Sequence, residues 1–211
     1  TGSLAVGSGE FLGPDLALAP PMDLSVSGTT TIYGAATLTL NGGSFSTGSL
    51  QGHGAFAFSS GTFGLTNDDL SVSLGGLFGR TLEVNSEQSI DVTNGATVDS
   101  TGLLLISGGT FSASTTTNQG EIHLMTPSFG SLGLLAGGRV NNEGFLYGNG
   151  RISAELHNAA TGHVQVASGE QLTLTGAANV NYGAIVNSGG TLRATGSLNN
   201  EPDGNISTDG Y

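Results

Sequence analysis

A unit of about forty residues recurs in the second half of this chain, and any fold must accommodate it. Residues 109–113 are matched by residues 150–154 and again by residues 190–194, at offsets of 41 and 40. In each copy a glycine is followed by a polar residue, a large apolar residue, a polar residue and an alanine. A constant offset between short segments is typical of repeat architectures, in which each copy stacks on its neighbours.

Further segments keep nearly the same offset. Residues 120–124 match residues 162–166, which lie 42 positions later. Leu134 aligns with Leu174, 40 positions later. Because separate segments share one offset, we interpret residues 108–200 as two and a fraction copies of one structural unit.

Short segments within each unit alternate between apolar and polar residues, as in residues 152–156. Alternation of this kind predicts β-strands with one face toward the core. The glycines and asparagines between the segments tolerate the backbone angles of tight corners. The pattern places Phe111, Ile152 and Leu192 in the interior, as one layer per unit.

The rest of the chain departs from this regularity. Residues 22–107 contain strand candidates at uneven spacing, and we interpret them as an irregular half of the same architecture. Residues 1–21 contain three prolines, which interrupt regular elements, so they are predicted to form an N-terminal arm or cap. Residues 201–211 are interpreted as a C-terminal tail.

Composition narrows the fold and partner classes. Gly, Ser, Thr and Asn make up 100 of the 211 residues and Lys is absent, so the usual helix-forming residues are scarce. A hydrophobic content of 36% with only 9% charged residues is unlike a disordered chain. Four Arg and a net charge of −12 disfavour a nucleic-acid partner. The longest apolar run has about four residues against about 20 for a membrane span, so no membrane span is expected.

Three all-β architectures are compatible with the repeat. A parallel β-solenoid has turns of about 20 residues, so one forty-residue unit would be two turns. A β-propeller also has a unit of about 40 residues, but with longer strands and recurrent aromatic motifs. A β-sandwich needs no repeat of this length. The solenoid is the favoured prediction, with the propeller and the sandwich as alternatives.

Residues 142–158 and 189–200 resemble the repeats of bacterial β-helical surface proteins, which include haemagglutinin-type adhesins and autotransporter passenger domains. The resemblance covers about 100 residues well and the first half weakly. It implies a right-handed parallel β-helix that is secreted or displayed on a cell, where it acts in adhesion or as a structural stalk. The motif reports the geometry of the turns and does not identify a ligand.

Two pairs of carboxylates are candidates for the catalytic groups of a carbohydrate-active β-helix. Glycoside cleavage needs two carboxylates on one face, and the available pairs are Asp91 with Asp99 and Glu83 with Glu87. Lyases that act on acidic glycans also need cationic groups, which four Arg and no Lys supply poorly. A glycan-cleaving or glycan-binding module is therefore the alternative to a non-enzymatic protein.

Calcium is the one cofactor with candidate ligands. Asp203, Asn205 and Asp209 place side-chain oxygens at intervals along one loop, as hard-cation loops do.

The chain has no Cys, which excludes disulfides and thiolate sites. His123 and His163 stand next to apolar residues expected to face inward, so both are predicted to point outward.

The sequence thus favours a non-enzymatic, extracellular or cell-surface structural or adhesive protein, with self-association or other surface proteins as its partners and a glycan as a further possibility. Residues 3–6 alternate like a strand and lie before the proline-rich sequence. Strand addition of this segment to a neighbouring subunit would give fibres.

Overall fold

The computed structural model of the protein describes residues 2–6, 15–127 and 131–208. It is an all-β parallel solenoid of about nine turns with about 21 residues per turn. The solenoid prediction is therefore confirmed, and the forty-residue unit corresponds to two turns. The described part contains no helix that is long and apolar enough to cross a membrane.

Twenty-two strands in the described residues build the solenoid. Their bounds are β1 Leu4–Val6, β2 Leu16–Leu18, β3 Asp23–Ile32, β4 Thr37–Gly52, β5 Ala55–Leu65, β6 Leu70–Val72, β7 Thr81–Asn85, β8 Gln88–Val98, β9 Leu103–Ser107, β10 Thr110–Asn118, β11 Glu121–Met125, β12 Gly133–Asn142, β13 Phe145–Gly148, β14 Gly150–Ile152, β15 Glu155–Asn158, β16 His163–Val166, β17 Gln171–Leu174, β18 Ala178–Asn181, β19 Ala184–Asn187, β20 Thr191–Ala194, β21 Ser197–Asn200 and β22 Asn205–Thr208.

Two parallel sheets form the walls of the coil. One has fifteen strands and follows the order β1-β3-β4-β5-β8-β10-β12-β14-β17-β20, with β2, β6, β15, β18 and β21 joined to it. The other has seven strands in the order β7-β9-β11-β13-β16-β19-β22. Near the C-terminal end each turn has three short strands, such as β14, β15 and β16. We call the seven-stranded sheet the third face.

The interior is a stack of apolar side chains in register. Phe111 of β10 pairs with Ile90 of β8 on one side and with Leu135 of β12 on the other, and Leu135 pairs in turn with Ile152. The side chains of these four residues are completely buried. Each turn thus buries its apolar face against the turns before and after it, which is how a solenoid obtains its hydrophobic stabilisation.

The irregular half has an aromatic core. Phe45 and Phe63 are completely buried, with ring centroids 5.8 Å apart. Phe56 packs against Phe63 at 4.9 Å, and Phe78 lies 5.9 Å from Phe63. These large side chains fill a section in which the turns differ in length, because Phe63 pairs with Ile90, 27 positions later.

The register corrects two details of the repeat alignment. Leu135, not Leu134, stacks on Ile152 and so occupies the interior column with Leu174. Leu192 pairs with Leu172, whereas Ala194 pairs with Leu174, so Leu192 does not lie over Ile152 as expected. The physical reason is that successive turns have unequal lengths. An alignment based on similar residues can therefore differ from the strand register by one or two positions.

A ladder of asparagines, all buried except the last, runs along the corner between the second strand of each turn and the third face. Each Nδ2 donates a hydrogen bond to the Oδ1 of the next asparagine, at 2.7, 2.7, 2.7 and 2.6 Å. The members are Asn118, Asn142, Asn158, Asn181 and Asn200. The ladder begins at Asn118 because Val98 occupies the same position in the preceding turn. These bonds satisfy most of the side-chain amide groups of the ladder, which would otherwise be costly to bury. Asn118 Oδ1, at the start of the ladder, has no hydrogen-bond partner among the described residues.

The N-terminal strands stack on the first turns. Leu4 of β1 pairs with Thr30 of β3 in a parallel ladder, and Leu16 of β2 pairs with Leu38 of β4. Val6 is buried, so this segment covers interior surface of its own chain. The division of the chain into an arm, two solenoid sections and a tail stays a prediction.

Candidate binding site: an aromatic patch on the third face

Six outward side chains on three neighbouring strands of the third face form what we call the aromatic patch. Strands β11, β13 and β16 pair in parallel with no shift in register. Because alternate residues of a strand share one side of the sheet, each strand contributes two outward side chains. They form two columns, the first of Glu121, Phe145 and His163 and the second of His123, Tyr147 and Gln165.

Four rings in the patch contact one another. The rings of Phe145 and His163 are stacked, with centroids 5.1 Å apart and an interplanar angle of 17°. His123 meets Tyr147 edge-on at 4.5 Å, and the rings of Phe145 and Tyr147 are 6.0 Å apart and nearly parallel. Phe145 is 45% exposed. Nearly parallel rings this close overlap in part, so neighbouring faces cover each other and the outer edges form an ordered apolar surface.

Two opposite corners of the patch are occupied by His123 and His163, and polar side chains occupy the other two. Glu121 lies beside Phe145, and Gln165 lies beside Tyr147. Glu121 Oε2 is 3.0 Å from His123 Nε2, and since an ionised carboxylate only accepts, the imidazole N–H donates this bond. Partial burial and, second, the negative charge of Glu121 raise the pKa of Tyr147 above its ordinary value of 10.0. Its hydroxyl is therefore neutral and able to donate at physiological pH.

The asparagine ladder lies directly behind the patch. Asn118 Nδ2 donates to the carbonyl oxygen of Phe145 at 2.9 Å. Asn142 Nδ2 donates to the carbonyl oxygen of His163 at 3.2 Å. Buried side-chain amides thus hold the backbone of the two residues whose rings stack, so the patch is built on a rigid support. Preorganised side chains lose less conformational entropy when a ligand binds.

A polar cleft of 300 Å³ adjoins the patch along the first column. It shares Glu121 with the patch and is also lined by Arg80, Thr81, Ser100, Thr101, Gly102 and Leu103. Arg80 Nε donates to the carbonyl oxygen of Thr101 at 3.2 Å, which holds its guanidinium at the cleft. The cleft therefore offers hydrogen-bonding groups next to the ring surface.

The calcium candidates are not brought together by any observed contact. Asp203 lies in an exposed turn, and Asn205 begins β22 with its backbone N–H bonded to the carbonyl oxygen of Gly183. Asp209 lies outside the described residues. Within residues 2–6, 15–127 and 131–208, no group of three or more His, Asp or Glu is arranged to hold a metal ion. Calcium binding by this loop stays a prediction.

The four carboxylates that are candidates for glycoside cleavage lie on strands and turns of both sheets. Asp91 is exposed on β8 of the fifteen-stranded sheet, while Glu83 is exposed on β7 of the third face. Asp99 Oδ1 accepts bonds from the backbone N–H and the hydroxyl of Thr101, both at 2.9 Å. Glu87 lies in the turn between β7 and β8. Asp99 is thus engaged in stabilising a corner.

His123 and His163 are predicted from the sequence to face outward, but the patch that they complete is not predicted. Both are outward in the structure, next to the buried Ile122 and Val164. The missed signal was in the intervening turn, where Phe145 and Tyr147 occupy the positions that match Glu121 and His123. The ladder was also missed, although Asn precedes a corner glycine by two residues at Asn118, Asn142 and Asn181.

No family model, curated protein or solved structure is detectably similar to the chain. Of what the resemblance to bacterial β-helical surface proteins implies, the parallel solenoid architecture is shown, and membership of that group stays a prediction.

Proposed function

We propose that the chain is a non-enzymatic structural and adhesive module of the extracellular space or the cell surface, which attaches to its target through the aromatic patch. The observation that carries the proposal is the ordered set of exposed rings, Phe145, Tyr147, His123 and His163, on a rigid parallel solenoid. An exposed aromatic surface with polar neighbours is typical of a binding site. The small number of charged residues and the repeated turns suit a rod that displays such a surface.

Attachment by the patch is tested with coated beads. Fluorescent beads that carry the chain are expected to adhere to washed epithelial cell layers or to bacterial biofilm at least five times more than beads carrying the double variant Phe145→Ala, Tyr147→Ala. The reason is that the variant removes the two rings of the central strand. The matched control is Tyr33→Ala, Tyr182→Ala, which removes two exposed rings elsewhere, at 42% and 44% exposure.

Two results would contradict this proposal. Equal adhesion of the wild type and the Phe145, Tyr147 variant would remove the patch as the attachment site. Catalytic release of reducing or unsaturated ends from polysaccharides by the purified chain would show an enzyme, which is the alternative function.

A second candidate role is that of a fibre subunit assembled by strand addition. The observation that favours it is the parallel ladder between β1 and β3, with Leu4 opposite Thr30 and Val6 opposite Ile32. A segment that pairs in this way within one chain is able to make the same ladder with a second copy by strand exchange.

Deletion of residues 1–21 tests this role. The intact chain is expected to form concentration-dependent oligomers in sedimentation velocity and filaments in electron micrographs, and the deletion is expected to yield monomers. Leu4→Pro, which removes one ladder donor from β1, is expected to reduce the oligomers as well. A monomeric intact chain at high concentration would refute fibre formation.

A further inference from the structure

We infer that the aromatic patch binds a neutral glycan that runs along the solenoid axis, an inference that rests on the adhesive role proposed above. A pyranose ring has one face of C–H groups and a rim of hydroxyls, so its site needs an apolar platform beside hydrogen-bonding groups. The patch supplies both, with the rings of Phe145 and Tyr147 at its centre and Glu121 and Gln165 at opposite corners. Aromatic surface with a few placed polar groups is the usual construction of small-ligand sites.

The spacing of the patch matches a linear sugar chain. Successive turns of a parallel sheet are about 4.8 Å apart, which is close to the length of one pyranose unit in an extended glycan. Phe145 and His163 stack on neighbouring turns, with their centroids 5.1 Å apart. A glycan lying along this column would place successive units against the exposed outer edges of Phe145 and His163.

The cleft extends the site in the same direction. Thr81, Leu103, Glu121 and Phe145 are paired in sequence along the first column. A glycan that passes from Phe145 over Glu121 therefore reaches the 300 Å³ cleft with Arg80 and Thr101 at its wall. The hydroxyl, guanidinium and carboxylate groups there are suited to the donors and acceptors of sugar hydroxyls.

The size of the patch favours a glycan over a protein partner. Three turns by two columns cover roughly 10 by 7 Å, whereas a stable protein interface buries about 800 Å² on each partner. A few sugar units match the smaller area.

Charge indicates that the glycan is neutral. The patch contains the carboxylate of Glu121, which contacts His123, and Glu83 lies on the same face in the column of His123. The whole chain carries a net charge of −12. An acidic glycan would meet repulsion from these charges.

Affinity electrophoresis in native gels tests the inference. The probes are three neutral polysaccharides, hydroxyethylcellulose, galactomannan and dextran, with polygalacturonate as the acidic comparison. We expect at least one neutral polymer to retard the wild type, and the variant Phe145→Ala, Tyr147→Ala to lose at least tenfold in association constant. The variant Tyr33→Ala, Tyr182→Ala is expected to migrate as the wild type, and circular dichroism checks that both variants are folded.

Three outcomes would overturn the glycan assignment. They are the absence of retardation by all three neutral polymers, equal retardation of the wild type and the Phe145, Tyr147 variant, and stronger retardation by polygalacturonate.

Treatment of the target surface separates this inference from the adhesive role. Periodate oxidises the vicinal diols of sugars, so it is expected to abolish patch-dependent bead adhesion, whereas protease treatment is expected to leave it intact. Adhesion that survives periodate but is lost after protease would refute the glycan and retain the adhesive role. Adhesion that does not depend on the patch would refute both.

Discussion

Replacement of Gly137 by alanine is expected to lower the free energy of unfolding by about 5 kcal/mol, from about 2 kcal/mol of backbone strain and about 3 kcal/mol of steric overlap. Gly137 lies within β12 at a φ of 113°, which an L-residue rarely adopts. A Cβ added there would lie 1.7 Å from the carbonyl oxygen of Ala113 in the preceding turn. Since that oxygen belongs to a paired strand, the overlap cannot be relieved by rotating a side chain.

The matched control for this change is Gly169→Ala. Gly169 also has a positive φ, 81°, but a Cβ there would meet no atom within 4 Å. Only the strain should remain, so we expect a loss of about 1–2 kcal/mol. Urea unfolding followed by circular dichroism measures both variants. Equal losses of unfolding free energy in the two variants would show that steric overlap with the neighbouring turn at Gly137 does not contribute.

Replacement of Asn158 by alanine is expected to lower the free energy of unfolding by about 4 kcal/mol. Asn158 is completely buried and accepts a bond from Asn142 Nδ2 at 2.7 Å. Its own Nδ2 donates to Asn181 Oδ1, and to the carbonyl oxygens of Gly162 and Ala184. Alanine leaves Asn181 Oδ1 without its donor and opens a cavity, and each effect costs about 2 kcal/mol.

Asn200→Ala is the control for the ladder. Asn200 accepts the same type of bond from Asn181 Nδ2 at 2.6 Å, but its side chain is exposed at the last turn. Water replaces the lost partner there, so we expect a loss of about 1 kcal/mol or less. Urea unfolding of the two variants gives the comparison, and hydrogen exchange at β13 and β16 reports whether the third face loosens. A smaller loss for Asn158→Ala than for Asn200→Ala would refute the ladder as a stabilising element.

The ladder also bears on the proposed binding role, because Asn118 and Asn142 donate hydrogen bonds to the backbone of Phe145 and His163. Asn118→Ala removes the bond to Phe145 without altering an outward side chain. Its effect on bead adhesion would therefore measure how far a rigid support contributes to attachment.

Much of the architecture was accessible from short-range patterns in the sequence. The alternation in residues 120–124 correctly indicates Ile122 and Leu124 as inward and His123 as outward. The match of residues 120–124 with residues 162–166 is also correct, since Ile122 pairs with Leu146 and Leu146 with Val164. These predictions succeeded because strand alternation is a local property with a period of two residues.

The register between turns was less accessible. Leu134 was aligned with Leu174, whereas Leu135 is the residue that joins its column through Ile152. A shift of one residue exchanges the inward and outward faces of a strand. The length of each turn decides this shift, and the offset between paired residues ranges from 16 at Arg139 and Glu155 to 27 at Phe63 and Ile90.

The sequence by itself therefore determined an all-β repeat fold, the two-turn period of its regular section and the side of the sheet on which many residues lie. Composition is a property of the chain alone, and strand alternation depends only on neighbouring residues. Both can therefore be recognised in the sequence. Only the tertiary structure decided which turns stack in register. That register brings Glu121, Phe145 and His163 into one column and the asparagines into one ladder. Residues some twenty positions apart come into contact only if the corners between them have the right lengths, and these lengths differ from turn to turn.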